Sequence, residues 1–348
     1  MLMNASTQRR RVAEMRREEA RNAGRARRGT AKAVLRLLLP LLLASCTKEI
    51  EVELPITPSK VVVEGTIETG SVPIVLLSRT QSYFEPTGIA GLANLYITDA
   101  TVIVSDGLTT DTLDKICSDQ LTEEQLIAAS EATGISIDLL RQITICAWTD
   151  LQNEMLGVEG RTYNLRVLAD GYTVTSSTKV PYGVALDSLW FKLAEQRPDD
   201  DTLGYLWGTL ADPDTAGNAY RWLAKRINLN ADGDQKDGSY ISPLFGAFED
   251  RYANGLTFDF AYNRGSAAFS EAEDDNNAEA GFFKLGDTVV VKFASIGLPE
   301  FKFYDSYSVN VSSQGDLFSN PANVISNING GLGIWAGYGV RLDTVVCE

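Results

Sequence analysis

The sequence contains no histidine, and this absence removes a large group of catalytic mechanisms. Histidine is the commonest general base and transition-metal ligand, and it is the usual partner of a serine or cysteine nucleophile. Its absence excludes zinc hydrolases with histidine ligands and Ser-His-Asp enzymes. A pair of carboxylates could still hydrolyse a glycoside, but the sequence does not show which carboxylates face one another. We therefore expect a protein that is not an enzyme, with a carboxylate-based hydrolase as the third-ranked alternative.

Basic residues are scarce outside the N-terminal segment. The first 45 residues hold 11 of the 31 lysines and arginines, so the rest of the chain carries 20 basic and 43 acidic residues, a formal charge of −23. A field of this sign repels nucleic acids and anionic lipid headgroups. The sequence therefore predicts no nucleic-acid partner.

Long apolar runs are absent except for LLLPLLLAS, which ends at Cys46. This run is too short to span a bilayer, which takes about 20 apolar residues, and it suits the hydrophobic region of a secretory signal. With a cationic segment before it and small residues leading into the cysteine, it resembles the lipobox of bacterial lipoproteins. The alternative, a core helix with a chance cysteine, would bury Arg36 and Pro40. We predict a signal peptide with an over-long basic leader over residues 1–45, lipidation of Cys46 and an acylated tether over residues 46–59.

Cysteine is also scarce, with four residues in the chain. Besides Cys46 there are Cys117, Cys146 and Cys347, so one thiol is left over if two of them pair. An exported chain meets oxidising conditions, and we predict a disulfide between Cys117 and Cys146 with Cys347 free. The alternative is two separate buried thiols.

The segment between the first two of these cysteines has a helical pattern that differs from its surroundings. Ser118 or Thr122 can cap the helix TEEQLIAASEA, whose first turn is acidic, and Gly134 stops it. A second short helix, SIDLLRQI, follows. The sequence therefore predicts a disulfide-bracketed helical insertion over residues 118–145.

Most of the remaining chain alternates between apolar and polar residues, which predicts β-strands. Asp-Gly pairs at 106–107 and 170–171 predict turns between strands, and Asn-Gly at 254–255 is the strongest hairpin signal. The fold class is mainly β, with two antiparallel domains. We predict an N-terminal Ig-like or transthyretin-like sandwich over residues 60–183 and a C-terminal sandwich or partial barrel over residues 184–348.

One loop, NLNADGDQKDGSY, offers oxygen ligands of the kind that calcium prefers. Its candidate ligands are Asp232, Asp234 and Asp237. The spacing departs from the EF-hand pattern, because Lys236 and Ile241 stand where ligands should be. A solvated turn is the favoured interpretation, so these are weak calcium candidates and no other cofactor is predicted.

Tryptophans suggest a second kind of site. Trp190, Trp207, Trp222 and Trp335 could form a stacking platform for sugars, because flat aromatic faces suit the C–H faces of pyranoses. In β-proteins such residues more often lie in the core or pair across strands. The glycine-rich segment NINGGLGIWAGYG lacks the spacing of a phosphate loop, and we expect its glycines to let backbone pass close to backbone around Trp335.

Several segments together resemble a Bacteroidota family of outer-membrane lipoproteins whose function is undefined. The matching segments are the lipobox, KVVVEGTIETG, PIVLLSRTQSYF, the cysteine-bracketed insertion, YNLRVLADGY, FEDRY with NGLTF, and SNINGGLGIWAGYG. Genes of that family commonly neighbour TonB-dependent transporters, so the resemblance implies an accessory or binding role in nutrient uptake with such a transporter as partner. It supplies no catalytic residue. The alternative function is a surface adhesin or glycan-binding lipoprotein.

Two further features resemble signals of the same phylum. Lys48 and Glu49, just beyond the lipidated cysteine, resemble export signals for the cell surface, which implies surface display on the outer membrane; the periplasmic face is the alternative. An O-glycosylation signal, aspartate followed by Ser or Thr and a small or aliphatic residue, occurs six times. A turn aspartate before a β-branched strand residue produces the same triplet, so a structural origin stays open. The candidate hydroxyls belong to Thr112, Ser188, Thr202, Thr215, Thr288 and Thr344.

Overall fold

The structure is a computed structural model. It describes residues 58–81, 88–195, 202–230, 233–265, 279, 281–313 and 323–348. Residues 57–348 form one compact unit. The predicted signal peptide, Cys46 and nearly all of the predicted tether lie outside the described residues.

The prediction of a mainly β fold is confirmed. Over the described ranges the chain forms three sheets, which are mostly antiparallel, and four α-helices. The strands are β1 (Val61–Glu68), β2 (Ile74–Arg79), β3 (Ala100–Ser105), β4 (Thr110–Thr112), β5 (Asp114–Cys117), β6 (Cys146–Thr149), β7 (Thr162–Ala169), β8 (Tyr172–Lys179), β9 (Ser188–Leu193), β10 (Leu203–Ala211), β11 (Ala219–Arg226), β12 (Ala247–Glu249), β13 (Thr257–Tyr262), β14 (Phe283–Lys284), β15 (Thr288–Ile296) and β16 (Leu332–Val346). The helices are α1 (Ile89–Leu95), α2 (Glu123–Thr133), α3 (Ile137–Gln142) and α4 (Leu298–Ser312), and a 3-10 helix spans Ser118–Gln120.

The largest sheet has eight strands in the order β12-β11-β15-β16-β1-β2-β6-β5. A four-stranded sheet, β4-β3-β7-β8, lies in the N-terminal half of the chain. Another has the order β13-β10-β14, with β9 also paired to β10. Each small sheet shares a buried apolar cluster with part of the large sheet, so the arrangement is sandwich-like.

Strand β16 joins the two halves of the chain. Its residues 332–338 pair in parallel with β1, and its residues 339–346 pair antiparallel with β15. A strand usually has about five or six residues, whereas this one has 15 and can serve two neighbours in succession. The two segments predicted as separate β-domains therefore both contribute strands to the large sheet, and both belong to one compact unit. The large sheet thus extends across the predicted boundary at residue 184.

Two apolar clusters fill the sandwiches. The N-terminal cluster includes Val63 and Val167, together with Trp335 from the end of the chain. The C-terminal cluster includes Trp222 and Phe293. Full burial of one large apolar side chain contributes about 1.5–3 kcal/mol, so these clusters are the main source of stability.

The predicted helical insertion is confirmed, and a disulfide joins Cys117 to Cys146. Thr122 caps the N-terminus of helix α2 and forms a capping box with Gln125, and Gly134 caps its C-terminus in the left-handed conformation. The insertion packs on the outer face of the large sheet, meaning the face away from the two clusters. Helix α4 packs on the same face, against β11, β15 and β16.

The turn predictions had mixed outcomes. The pair at 170–171 forms the two-residue turn between β7 and β8, with positive φ at both residues. The pair at 106–107 lies in the turn between β3 and β4. The hairpin prediction at 254–255 is wrong: β12 pairs with β11 and β13 pairs with β10, so this turn carries the chain from one sheet to another. A local turn signal does not specify which strands pair.

The expected role of the C-terminal glycines is confirmed. A Cβ at Gly333 would lie 1.9 Å from the Val63 carbonyl oxygen, and one at Gly337 would lie 2.4 Å from that of Lys179. Both distances are far below van der Waals contact, so only glycine lets β16 run this close to its neighbours. The indole of Trp335 lies against Gly65 on β1, where a Cβ would come within 2.7 Å of its Cε3, and it donates to the Tyr163 carbonyl oxygen at 3.0 Å.

Candidate functional site

A cleft of about 500 Å³ lies at the sheet formed by β9, β10 and β13. We call it the aromatic cleft. This volume falls within the range of about 300–1,000 Å³ that is typical of small-molecule sites. Its lining combines aromatic, charged and amide side chains: Lys192, Leu193, Glu195, Tyr205, Trp207, Leu244, Ala261, Tyr262 and Asn263.

Strand alternation places the lining residues in rows across the sheet. Trp207 lies between Trp190 on β9 and Ala261 on β13, and all three side chains point away from the C-terminal cluster. One step along the strands, Lys192 pairs with Tyr205. An aromatic row thus adjoins a row with a cationic side chain.

The aromatic row is held by stacking. The rings of Trp190 and Trp207 lie 6.2 Å apart with an interplanar angle of 22°. The Lys192 Nζ stands 5.6 Å from the Trp207 ring centroid, a cation–π distance. The buried Nε1 of Trp207 has no hydrogen-bond partner among the described residues.

Polar groups stand around the aromatic row. The Ser188 hydroxyl donates to Thr209 Oγ1 at 2.8 Å, and the Thr209 hydroxyl donates to Asp259 Oδ1 at 2.7 Å. At the other end, Lys192 and Glu195 form a loose exposed ion pair at 3.9 Å. The cleft itself offers aromatic side chains together with polar groups of Lys192, Glu195 and Asn263, and the Ser188, Thr209 and Asp259 chain lies beside it on the same face of the sheet.

The four tryptophans named in the sequence analysis separate into two pairs. Trp190 and Trp207 are half-buried on the outside of the β9-β10-β13 sheet, and Trp207 lines the cleft. Trp222 and Trp335 are fully buried, one in each cluster. Tyr205 and Lys192 were not predicted as site residues, although their alternation with the tryptophans along β9 and β10 places them on the same face.

A second polar region lies on the outer face of the large sheet, but its groups are engaged with one another. The Lys292 Nζ bonds Glu68 at 2.9 Å. The Arg221 guanidinium stacks 3.8 Å above the Tyr304 ring and donates to the Tyr338 hydroxyl at 2.5 Å. Burial raises the pKa of the Tyr304 hydroxyl well above its usual value. These contacts connect β1, β11, β15, β16 and α4, which is a structural role.

Two of the three calcium candidates, Asp234 and Asp237, are described, and neither belongs to a group of acidic side chains arranged to hold a metal ion. The Asp237 carboxylate is buried and receives bonds from the Arg226 side chain at 2.9 and 3.0 Å, with Arg264 at 3.3 Å. Asp234 is exposed in a turn with Asn230. Asp232 lies outside the described residues. Two guanidinium groups therefore occupy the oxygens of Asp237 in a buried ion network, and calcium binding by this loop stays a prediction.

Other acidic side chains that are buried also serve the fold. Asp250 accepts from the backbone N–H groups of Gly217 and Asn218, and Glu300 accepts from the Thr178 hydroxyl. Over the ranges that the structure describes, no cluster of three or more His, Cys, Asp or Glu residues is arranged to hold a metal ion.

Cys347 is buried and free, as predicted. Burial raises the pKa of its thiol to about 12, and the nearby Asp287 carboxylate adds to the shift. The group therefore stays protonated at neutral pH, and a thiol is a poor nucleophile compared with a thiolate.

The six candidate glycosylation residues differ in exposure, and their modification stays a prediction. Thr202 and Thr288 are partly buried, and the Ser188 hydroxyl is already bonded within the β9-β10-β13 sheet. Ser188 is exposed, as are the other three, Thr112, Thr215 and Thr344.

None of the helices within the described ranges has the length and apolar character needed to cross a bilayer.

Comparison with known families matches residues 47–342 to the family described as a domain of unknown function, DUF4249. The match covers most of the chain, and the chain therefore belongs to that family. No curated protein matches the chain significantly.

Proposed function

We propose that the protein is a lipid-anchored accessory or binding protein of the bacterial outer membrane that partners a TonB-dependent transporter in nutrient uptake. The observation that carries the proposal is the short distance along the chain between the lipobox and the folded unit. Cys46 is the predicted lipidation site, and the compact unit begins at Thr57. Even fully extended, the 11 residue steps between them span at most about 40 Å.

A short tether restricts what the unit can meet. Acyl chains on Cys46 would hold the unit within about 40 Å of the membrane surface, so a partner in the same membrane would be met at high effective concentration. The strong negative charge would keep the unit away from anionic headgroups. Both effects favour contact with the exposed loops of a membrane protein over contact with the lipid.

A binding role also suits the chemistry of the described residues. The buried carboxylates of Asp237, Asp250 and Glu300 accept hydrogen bonds from arginine, backbone N–H and hydroxyl groups, respectively, and these bonds stabilise the fold. The aromatic cleft supplies a surface for a ligand, and no histidine is present to act as a base near neutral pH.

The anchor is tested by Cys46→Ala, with Cys347→Ala as the matched control. Metabolic labelling with palmitate and membrane fractionation are measured for both variants in the native host. We expect the control to be acylated and to fractionate with outer membranes, and we expect Cys46→Ala to be unlabelled and to leave that fraction. Palmitate labelling of Cys46→Ala, or its persistence in the outer-membrane fraction, would reject the lipid anchor.

The partner is tested separately. The wild-type protein is crosslinked on cells, purified in mild detergent, and analysed for co-purifying proteins by mass spectrometry. We expect a TonB-dependent transporter in the complex, and protease treatment of intact cells should cleave the protein if it is surface-displayed. Recovery as a lone monomer, while a transporter encoded by a neighbouring gene is expressed but absent from the sample, would reject the partnership and favour an adhesin.

A further inference from the structure

We propose that the aromatic cleft binds a pyranose unit of an uncharged oligosaccharide, with the sugar ring stacked on Trp207. This inference goes beyond the proposed function because it names a ligand class and a site, and it holds with or without a transporter partner. It rests on the geometry of three neighbouring strands.

The first argument is the open space beside the indole. Trp207 has the large Trp190 ring on one side, but its neighbour on the other side is Ala261, whose side chain is a single methyl group. A small residue beside a large one leaves a recess along the sheet, and the cleft includes both Trp207 and Ala261. Trp207 is half-buried and lines this recess, so part of its ring is accessible, and the flat surface of an indole suits the C–H face of a sugar ring.

The second argument is the placement of polar groups around that surface. The hydrogen-bonded chain of Ser188, Thr209 and Asp259 lies one step along the strands from the aromatic row. Lys192 lies one step in the opposite direction, and Asn263 follows the end of β13. A pyranose carries its hydroxyl groups around the rim of an apolar ring, so donors and acceptors on both sides of an aromatic row match its chemistry.

Charge decides between classes of ligand. The lining contains one cationic and one acidic side chain, Lys192 and Glu195, and the rest of the chain is strongly acidic. An anionic saccharide would be repelled by the protein as a whole. A quaternary ammonium ligand would place a second cation beside the Lys192 ammonium, which stands 5.6 Å from the Trp207 ring centroid, and the two like charges would repel. An uncharged saccharide meets neither obstacle.

The test measures saccharide binding by the full-length chain in mild detergent. Cellohexaose, maltohexaose, mannohexaose and xylohexaose are titrated by calorimetry, and tryptophan fluorescence is followed in parallel, with choline as a further probe. Trp207→Ala removes the stacking surface. Ala261→Leu fills the recess and keeps every other lining side chain. Tyr252→Ala is the matched control, because Tyr252 is 89% exposed and lies outside the cleft.

We expect saturable binding of at least one of the four oligosaccharides by the wild type, accompanied by a change in fluorescence. Trp207→Ala and Ala261→Leu should each weaken it by about tenfold or more, and Tyr252→Ala should leave it within about twofold. Circular dichroism and urea unfolding show whether each variant is folded, and Ala261→Leu keeps the test valid if Trp207→Ala is not.

Three results would overturn the proposal. The wild type could bind none of the four saccharides, both cleft variants could bind as well as the wild type, or choline could bind the cleft while the saccharides do not. Each result is independent of acylation and of co-purification, so a failure here is distinguishable from a failure of the proposed function.

Discussion

A buried ion network in the C-terminal half makes a quantitative prediction about Asp237. The Arg226 side chain is fully buried, and the Asp237 side chain is 2% exposed. One carboxylate oxygen accepts from the Arg226 backbone N–H at 2.9 Å and from Nε at 3.0 Å, and the other accepts from Nη2 at 2.9 Å. Asp237→Ala would leave a buried guanidinium and a backbone N–H without these acceptors.

The size of the destabilisation depends on the acidic side chains that remain near Arg226. Removal of one partner of a buried ion pair costs about 3–5 kcal/mol, because the remaining charge is left without compensation. Here Glu279 still bonds Arg226 Nη1 at 2.8 Å, and Asp287 stands 3.7 Å away. These two carboxylates still compensate part of the Arg226 charge. We therefore expect Asp237→Ala to lower the free energy of unfolding by about 3 kcal/mol, the lower end of that range.

Urea unfolding monitored by tryptophan fluorescence measures this change. The midpoint should fall with little change in the slope that reports the surface exposed on unfolding. Asp234→Ala is the matched control, since it removes an exposed aspartate from the same loop and should change stability by no more than about 0.5 kcal/mol. Equal effects of the two substitutions would refute the reasoning. So would stabilisation of the wild type by millimolar calcium that Asp237→Ala abolishes, because a bound ion stabilises by mass action.

The remaining predictions concern backbone packing and pH. Gly333→Ala should lower the free energy of unfolding by more than about 3 kcal/mol in the same assay, because its Cβ would lie 1.9 Å from the Val63 carbonyl oxygen. The control is Gly70→Ala, which has positive φ but open space around it and should cost about 1–2 kcal/mol. Similar costs for the two substitutions would contradict the close approach of β16 to β1. Hydrogen bonds from Arg341 lower the pKa of Glu159, so its contribution is present above the unfolded-state pKa near 4.5 and disappears as the pH falls through the lower folded-state value. Glu159→Gln should therefore be less stable than the wild type by about 1 kcal/mol at pH 7 and equally stable in strong acid, and a difference that does not vary with pH would exclude this linkage.

Much of the local structure was predictable from neighbouring residues. Thr122 and Gln125 stand at the spacing of a capping box, and the cysteines on either side of the insertion mark its ends. The Asp-Gly turn at 170–171 specified a hairpin, because its two residues tolerate the positive φ that this turn requires. These features depend on contacts within a few residues, so no knowledge of the rest of the fold was needed.

Local patterns did not predict which distant strands pair or which distant side chains come into contact. The 254–255 turn has the same kind of signal as a hairpin, yet its flanking strands enter different sheets. Alternation in β9 and β10 indicates two faces, but it does not say which face is covered, so the half-buried Trp207 and the fully buried Trp222 look alike in sequence. The contacts of the Asp237 carboxylate with Arg226 and Arg264 likewise depend on the tertiary structure and have no local sequence signal.

The sequence by itself determined the strands, the helical insertion with its disulfide, the lack of histidine chemistry and the acidic charge, because each of these follows from composition or from residues close together in the chain. Tertiary structure alone decided that β16 pairs with β1 and then with β15, which merges the predicted domains into one unit. It also decided that Ala261 lies beside Trp207 and opens a recess there. Such pairings depend on the summed burial of whole faces across segments far apart in the chain, and no local pattern encodes that sum.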